Sequence, residues 1–282
     1  MASRSTGGFG GLIVTVRALL AASHPLPTAA VTAFVAVVAV AAGRSPADCV
    51  LVALAVLTGQ LSIGWCNDAV DAPRDVALGR TDKPIVTGAA PRRLVAGAAV
   101  LAFAACVPLS LATGVPAGTV HLVGVLAGWT YDAGVKRTVL SFVPYAVGFG
   151  ALPAFVTLGL PGAPWPAAWG VAAAALLGVG AHLANAVPDI DGDLRTGIRG
   201  LPQRLGERTT RLVLPAPMLT ASVVLVLGPP GRPALLAWPA LAACAALSVT
   251  AALAPRRYSF RAAIGAAAVA VVLFAVNASA LS

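Results

Sequence analysis

The chain has 282 residues, of which 59% are hydrophobic and only 10% charged, with a mean hydropathy of +0.88. That balance excludes an ordinary soluble domain and points to a multi-pass membrane protein. The formal net charge of +9 would suit nucleic acid in a soluble chain. In a membrane protein its distribution matters more than its total, and no nucleic-acid partner is expected.

The first residues, Met1 to Gly11, are small and polar, and Arg17 and His24-Pro25 interrupt the apolar stretch that follows, so no cleavable signal peptide is expected. Residues 11–22 are weakly amphipathic and are expected along the membrane interface. Nine apolar stretches then follow, each near the ~20 residues that span a bilayer. They are Leu26–Ala42, Ala47–Val70, Leu94–Ala112, Pro116–Tyr131, Val139–Leu160, Trp165–Val187, Thr209–Leu227, Pro233–Ala254 and Ser259–Leu281. Gly, Pro and most charges fall between them, as loops require. No linker divides the chain, so residues 1–282 read as one domain. Cys49, Cys66, Cys106 and Cys244 stand singly in apolar runs, without metal or redox spacing, and read as buried inert thiols. The expectation is an all-α, multi-pass membrane bundle of nine transmembrane helices.

Charge asymmetry supports that parse. With nine spans, all of the 19 Lys and Arg residues except Arg44 and Arg232 fall on the side of the amino terminus. The positive-inside rule then places the amino terminus in the cytoplasm and the carboxyl terminus outside. Of the ten acidic residues, all but Asp48 share the cytoplasmic side.

The rare carboxylates are concentrated in two places. Asn67-Asp68-Ala69-Val70-Asp71-Ala72-Pro73-Arg74-Asp75 closes the second stretch, and Asp189-Ile190-Asp191-Gly192-Asp193 closes the sixth. On a helix, Asn67, Asp71 and Asp75 share one stripe, with Asp68 beside Asp71, and Asn185, Asp189 and Asp193 share another. Pro73 and Pro188 are each expected to kink or end their helix. The matching spacing four spans apart hints at a duplicated unit. Carboxylates this close repel unless cations neutralise them, and hard divalent ions with oxygen ligands, Mg²⁺ above all, are the natural partners. Mg²⁺ often keeps positions open for phosphate, so two such stripes suggest a bridged diphosphate. The plainer alternative is solvated helix-end acids, but two matching patterns on one side of the membrane argue against it. Arg74, Arg80, Lys83, Lys136, Arg137, Arg195 and Arg199 follow these segments and could neutralise a departing diphosphate, or serve topology alone.

These motifs, NDxxDxxxD at Asn67–Asp75 and DxxxD at Asp189–Asp193, resemble the paired signatures of the UbiA-type intramembrane prenyltransferase superfamily. Tyr131-Asp132-Ala133-Gly134-Val135-Lys136-Arg137 is similar to the tyrosine-then-lysine segment after that family's fourth helix. The resemblance implies a nine-helix bundle around a central cavity, capped by the loops after spans two and six. It implies that Asp68, Asp71, Asp75, Asp189 and Asp193 hold Mg²⁺ ions bridging an isoprenyl diphosphate. Asn67 and Asn185 would support metals or phosphates, and Arg80, Lys83, Lys136, Arg137 and Tyr131 would line the diphosphate site. Asp191 lies off the stripe and is given no metal. Trp65, Phe149 and Phe155 could line a tunnel for the isoprenyl tail or simply pack, and His182 could touch an acceptor or pack.

The function so implied is transfer of an isoprenyl group, by ionisation to an allylic carbocation, onto a lipophilic, usually aromatic, acceptor. Membrane lipids are the other partner, and no obligate protein partner is expected. A terpene cyclase of the same superfamily would share the ionisation step. A cation transporter is a different class, but the acids lie at span ends rather than near the midplane where coupling ions bind.

Overall fold

The computed structural model describes residues 7–254 and 256–282; Arg4, counted above in the charge asymmetry, lies outside them. The architecture is helical throughout, and the described residues contain no strand. In chain order the α-helices are α1 (Gly7–Ala22), α2 (Pro25–Ala41), α3 (Pro46–Ala77), α4 (Arg92–Ala112), α5 (Val115–Ala133) and α6 (Val143–Thr157). They continue as α7 (Ala168–Ala186), α8 (Ile190–Arg195), α9 (Leu201–Val213), α10 (Pro215–Leu227), α11 (Ala237–Leu253) and α12 (Arg256–Val276).

Each of the nine apolar stretches contains a helix, with shifted ends. By length and composition, three helices among the described residues can cross a membrane unaided: α3, α4 and the run Ala168–Arg195. The number is up to five if two bent pairs each count as one span. One pair is residues 11–22 with α2, bent by 66°, and the other is α9 with α10, bent by 45°. The first bend puts residues 11–22 at an angle to the bundle, and His24 sits at the elbow in a left-handed conformation, φ 52°. A left-handed non-glycine residue is uncommon enough to mark a fixed turn.

Local chemistry explains the boundaries. Pro25 and Pro46 begin α2 and α3, where a missing N–H costs nothing. The Ser45 hydroxyl caps α3 by accepting the Asp48 N–H at 3.2 Å. The helix α3 runs past the predicted end at Val70 and continues through Pro73 to Ala77. Pro188 acts as expected: α7 gives way to a single 3-10 turn, Val187–Asp189, before the short α8.

In lipid, apolar burial alone does not hold helices together, so close packing of small residues and internal polar bonds carry the assembly. Gly64 shows the first device: a Cβ there would lie 2.5 Å from the Ser23 carbonyl oxygen, so only glycine lets the α1–α2 elbow seat on α3. Polar pairs show the second: Ser110 Oγ meets His121 Nδ1 at 2.8 Å, and Ser222 Oγ meets Cys244 Sγ at 2.8 Å. Cys106 and Cys244 are buried and Cys49 and Cys66 half-buried, all of them free thiols. The bundle joins its ends where Phe34 of α2 meets Phe274 of α12 edge to face, centroids 5.4 Å apart. Phe155 is wholly buried and stacks on the His121 ring at 4.3 Å. It is packing rather than the wall of an open tunnel.

Candidate active site

The last turns of α3 present the first acidic cluster. Asp68, Asp71 and Asp75 are all buried, although each carboxylate needs a counter-charge at that depth. Lys83, Lys136 and Arg74 supply it, and the His24 ring adds a hydrogen-bond contact. Asp68 Oδ1 accepts from Lys83 Nζ at 2.5 Å and from His24 Nε2 at 3.1 Å. Asp71 Oδ1 accepts from Lys136 Nζ at 2.5 Å, and its Oδ2 accepts from Arg74 Nη2 at 3.1 Å and Asn67 Nδ2 at 3.3 Å. Asp75 lies 3.6 Å from Arg74 Nη2.

The second cluster does not form the continuous stripe expected of Asn185, Asp189 and Asp193. Pro188 lacks an amide N–H, and the chain passes through the single 3-10 turn Val187–Asp189 before α8. Asp193 turns inward and is buried, accepting from Arg74 Nη1 at 2.7 Å and from Gln203 Nε2 at 2.7 Å. Asp189 stays at the surface, its side chain 48% exposed and 3.2 Å from Arg80 Nη1. Asn185, also exposed, pairs with the Tyr145 hydroxyl. Asp191 is exposed and takes no part. The two clusters nevertheless converge: Arg74 hydrogen-bonds Asp71 of one and Asp193 of the other, across 119 positions of sequence.

The segment after α5 closes a third side. Lys136 is buried, bonded to Asp71 and 3.6 Å from Asp132, and its ammonium lies 5.9 Å from the centroid of the Tyr131 ring. Tyr131 packs edge-on against Tyr145 and His182. His182 is buried, and its Nε2 lies 3.0 Å from Ser141 Oγ, so it packs and positions rather than facing open space. Ser141 Oγ also accepts the Leu201 N–H at 2.9 Å, which ties this segment to the start of α9. Gly200 permits the approach, since a Cβ there would sit 2.6 Å from the Lys136 carbonyl oxygen. Arg137 is exposed and, among the described residues, pairs with none of the five acids. The single turn Val135–Arg137 points Lys136 inward, which leaves its neighbour outward.

Several participants were not singled out in the sequence. His24, one of three histidines, reaches Asp68 from 44 positions away. Asp132 is nearly fully buried and accepts from Asn67 Nδ2 at 2.6 Å. It is one of only ten acids and stands between Tyr131 and Lys136, a signal the sequence did offer. Gln203, which bonds Asp193, gave no such sign.

Above the site, in the loop after α3, Arg80 grips both oxygens of Asp82, with Nε and Nη2 each at 2.9 Å. That bidentate hydrogen bond brings the Asp82 carboxyl down to about 2.

Three buried carboxylate oxygens of the site, Asp68 Oδ2, Asp75 Oδ1 and Asp132 Oδ2, accept no hydrogen bond. Anionic oxygens without a hydrogen bond in a buried site are the donors a hard divalent cation takes. Among the described residues no three His, Cys, Asp or Glu side chains stand close enough together to hold a metal ion. The donor chemistry, hard carboxylate oxygens, fits such a cation; Lys83, Arg74 and Lys136 occupy those oxygens, and the carboxylates would have to draw together for three of them to share one ion.

No curated protein matches the sequence. Solved structures do match in shape. A UbiA homolog from Archaeoglobus fulgidus bound to DMAPP and Mg²⁺ superposes with a TM-score of 0.67 at 15% identity, covering 92% of this chain and 99% of that one. An apo UbiA homolog from Aeropyrum pernix K1 gives 0.68 at 19% identity, covering 91% and 95%. A digeranylgeranylglyceryl phosphate synthase structure gives 0.66 at 13% identity, covering 95% and 99%. At these identities the likeness establishes the fold. The model of the UbiA prenyltransferase family matches residues 28–278, nearly the whole chain, and the protein is therefore a member of the UbiA prenyltransferase family.

Proposed function

We propose that the protein transfers an isoprenyl group from an isoprenyl diphosphate to a lipophilic, aromatic acceptor, with Mg²⁺ bound by the two acidic clusters. The observation that carries this reading is the bridge from Asp71 through Arg74 to Asp193, which joins two distant carboxylate motifs at one mouth of the bundle. The Archaeoglobus fulgidus homologs bound to DMAPP or GPP with Mg²⁺ support it by family and fold.

Asp68, Asp71, Asp75, Asp189 and Asp193 would hold the metal, with Asn67 and Asn185 beside them. When bound, Mg²⁺ supplies positive charge that stabilises the leaving diphosphate. The chain's own groups act in the same sense. Lys83, Lys136 and Arg80, now paired with Asp68, Asp71 and Asp189, carry the donors that would turn to phosphate oxygens. Arg74 would keep the two clusters in register. Tyr131, Tyr145 and His182 form an aromatic floor below Lys136, where an allylic cation would meet π-faces rather than water. The half-buried Phe149, against Gly178 of α7, would be part of the apolar wall for the prenyl tail.

The same reading takes the nine apolar helices as nine spans around a central cavity, with the site and the amino terminus cytoplasmic and the carboxyl terminus outside. Purified protein given Mg²⁺ and a prenyl diphosphate, with and without a panel of aromatic acceptors, tests the proposal. The expected product is a prenylated acceptor. A cyclic hydrocarbon formed without any acceptor would assign the chain to cyclisation instead.

A further inference from the structure

Asp132 lies outside both acidic motifs, yet its relative exposure is only 3%. Its Oδ1 accepts the Asn67 Nδ2–H at 2.6 Å, while Oδ2 is buried without a partner. A carboxylate at that depth is costly to keep unless it fixes something. Asn67 is what it touches most closely.

The carboxamide of Asn67 has two N–H donors and one oxygen. One donor goes to Asp132 Oδ1 and the other to Asp71 Oδ2 at 3.3 Å. Carboxylates only accept, so the nitrogen rather than the oxygen must face both of them. With both hydrogens taken, the oxygen is the one polar atom of Asn67 left for a ligand, and Asn67 is half-buried rather than sealed off. An amide oxygen is a hard neutral donor of the kind divalent cations accept. Without Asp132, one N–H would lose its acceptor and the amide could flip or turn to solvent.

We propose that Asp132 is a positioning residue that locks the Asn67 carboxamide with its oxygen presented to a divalent cation. The inference rests on the metal-binding reading of the site and goes beyond it, because it assigns a role to a residue in neither motif. The competing role for the same carboxylate is a counter-charge for Lys136, whose Nζ lies 3.6 Å away. The two roles differ in what they require. Orientation of Asn67 needs an acceptor atom, which asparagine also provides, whereas a counter-charge needs the anion.

The test is a Mn²⁺ titration of the purified protein followed by electron paramagnetic resonance, a readout independent of turnover. Loss of a partner that orients a ligand costs about 10-fold or more in metal affinity, and D132A is expected to weaken Mn²⁺ binding by that amount. D132N is expected to stay within about 2-fold of wild type, and D132A is expected to add nothing beyond that margin in an N67A background. Equal weakening by D132N and D132A, or a full D132A effect in N67A protein, would assign the loss to charge and overturn the proposal. Should D132A fail to fold, D132N and N67A decide: weakening by D132N as great as by N67A overturns it. A wild-type protein that binds no Mn²⁺ would remove the metal reading and this inference with it. Wild-type binding left intact in D132A would remove the inference alone.

Discussion

Asp71 is the residue on which the site turns, because three different groups converge on its two oxygens. Lys136, Arg74 and Asn67 all bond it. Removing one partner of a buried charge pair leaves the other uncompensated, at about 3–5 kcal/mol. Lys136→Ala should therefore lower the unfolding temperature in detergent as well as turnover, which a thermal-shift assay beside a product assay checks. Asp189→Ala should separate the two effects: the side chain is about half exposed, so turnover should fall by about a hundredfold while the melting temperature stays unchanged. At Asp82 the depressed carboxyl predicts a pH dependence. Its folded value, about 2, lies below its ordinary 3.8, so the Arg80 pairing is complete above the unfolded value and fades only as pH falls from there toward 2. Backbone hydrogen exchange in the loop after α3 should accordingly be insensitive to ionisation of Asp82 between pH 5 and 8, after correction for intrinsic exchange, and D82N should loosen that loop throughout the range. These residues differ in how visible they are in sequence. The aspartates announced themselves by scarcity and spacing. His24 did not, and the scarcity of Asp132 did not reveal its partner, because the contacts span 44 and 65 positions and no local pattern encodes them.

Helices carry those residues into register, and here proline and glycine decide. Sequence spacing predicted two equivalent stripes, and α3 obeys because its helix persists through Pro73. The partner stripe is broken because Pro188 converts the end of α7 to a 3-10 turn, sending Asp193 inward and Asp189 outward. The spacing was legible; which proline would break its helix was not, since that depends on the packing around each. At Gly200 the start of α9 presses against the Lys136 carbonyl, Ser141 Oγ and the Gln203 side chain. Gly200→Ala would force these apart at about 1–3 kcal/mol and draw Gln203 off Asp193. A lower melting temperature together with lost turnover is expected. Gly97→Ala on α4, where a Cβ meets nothing within 4 Å, should be neutral or mildly stabilising.

At the scale of the molecule, the nine apolar stretches were legible because hydropathy needs no tertiary contact, and each holds a helix. The joining of α2 to α12 through Phe34 and Phe274, and the elbow at His24, were not, since both are long-range packing outcomes. The topology makes its own prediction. In protein with its four native cysteines replaced, Arg137→Cys should label with an impermeant maleimide only from the cytoplasmic side, and Arg232→Cys only from the outside. Both labelling from one side would break the nine-span arrangement. As proposed, the two acidic clusters joined through Arg74 form one Mg²⁺-dependent site for a prenyl diphosphate. Diphosphate release from a prenyl diphosphate by purified protein, measured with an acceptor and with Mg²⁺ or EDTA, tests it most directly when wild type, D71A and D189A are run together. Wild type should release diphosphate with Mg²⁺ only, and each variant should lose that release while remaining folded. Normal Mg²⁺-dependent release by either variant would contradict it.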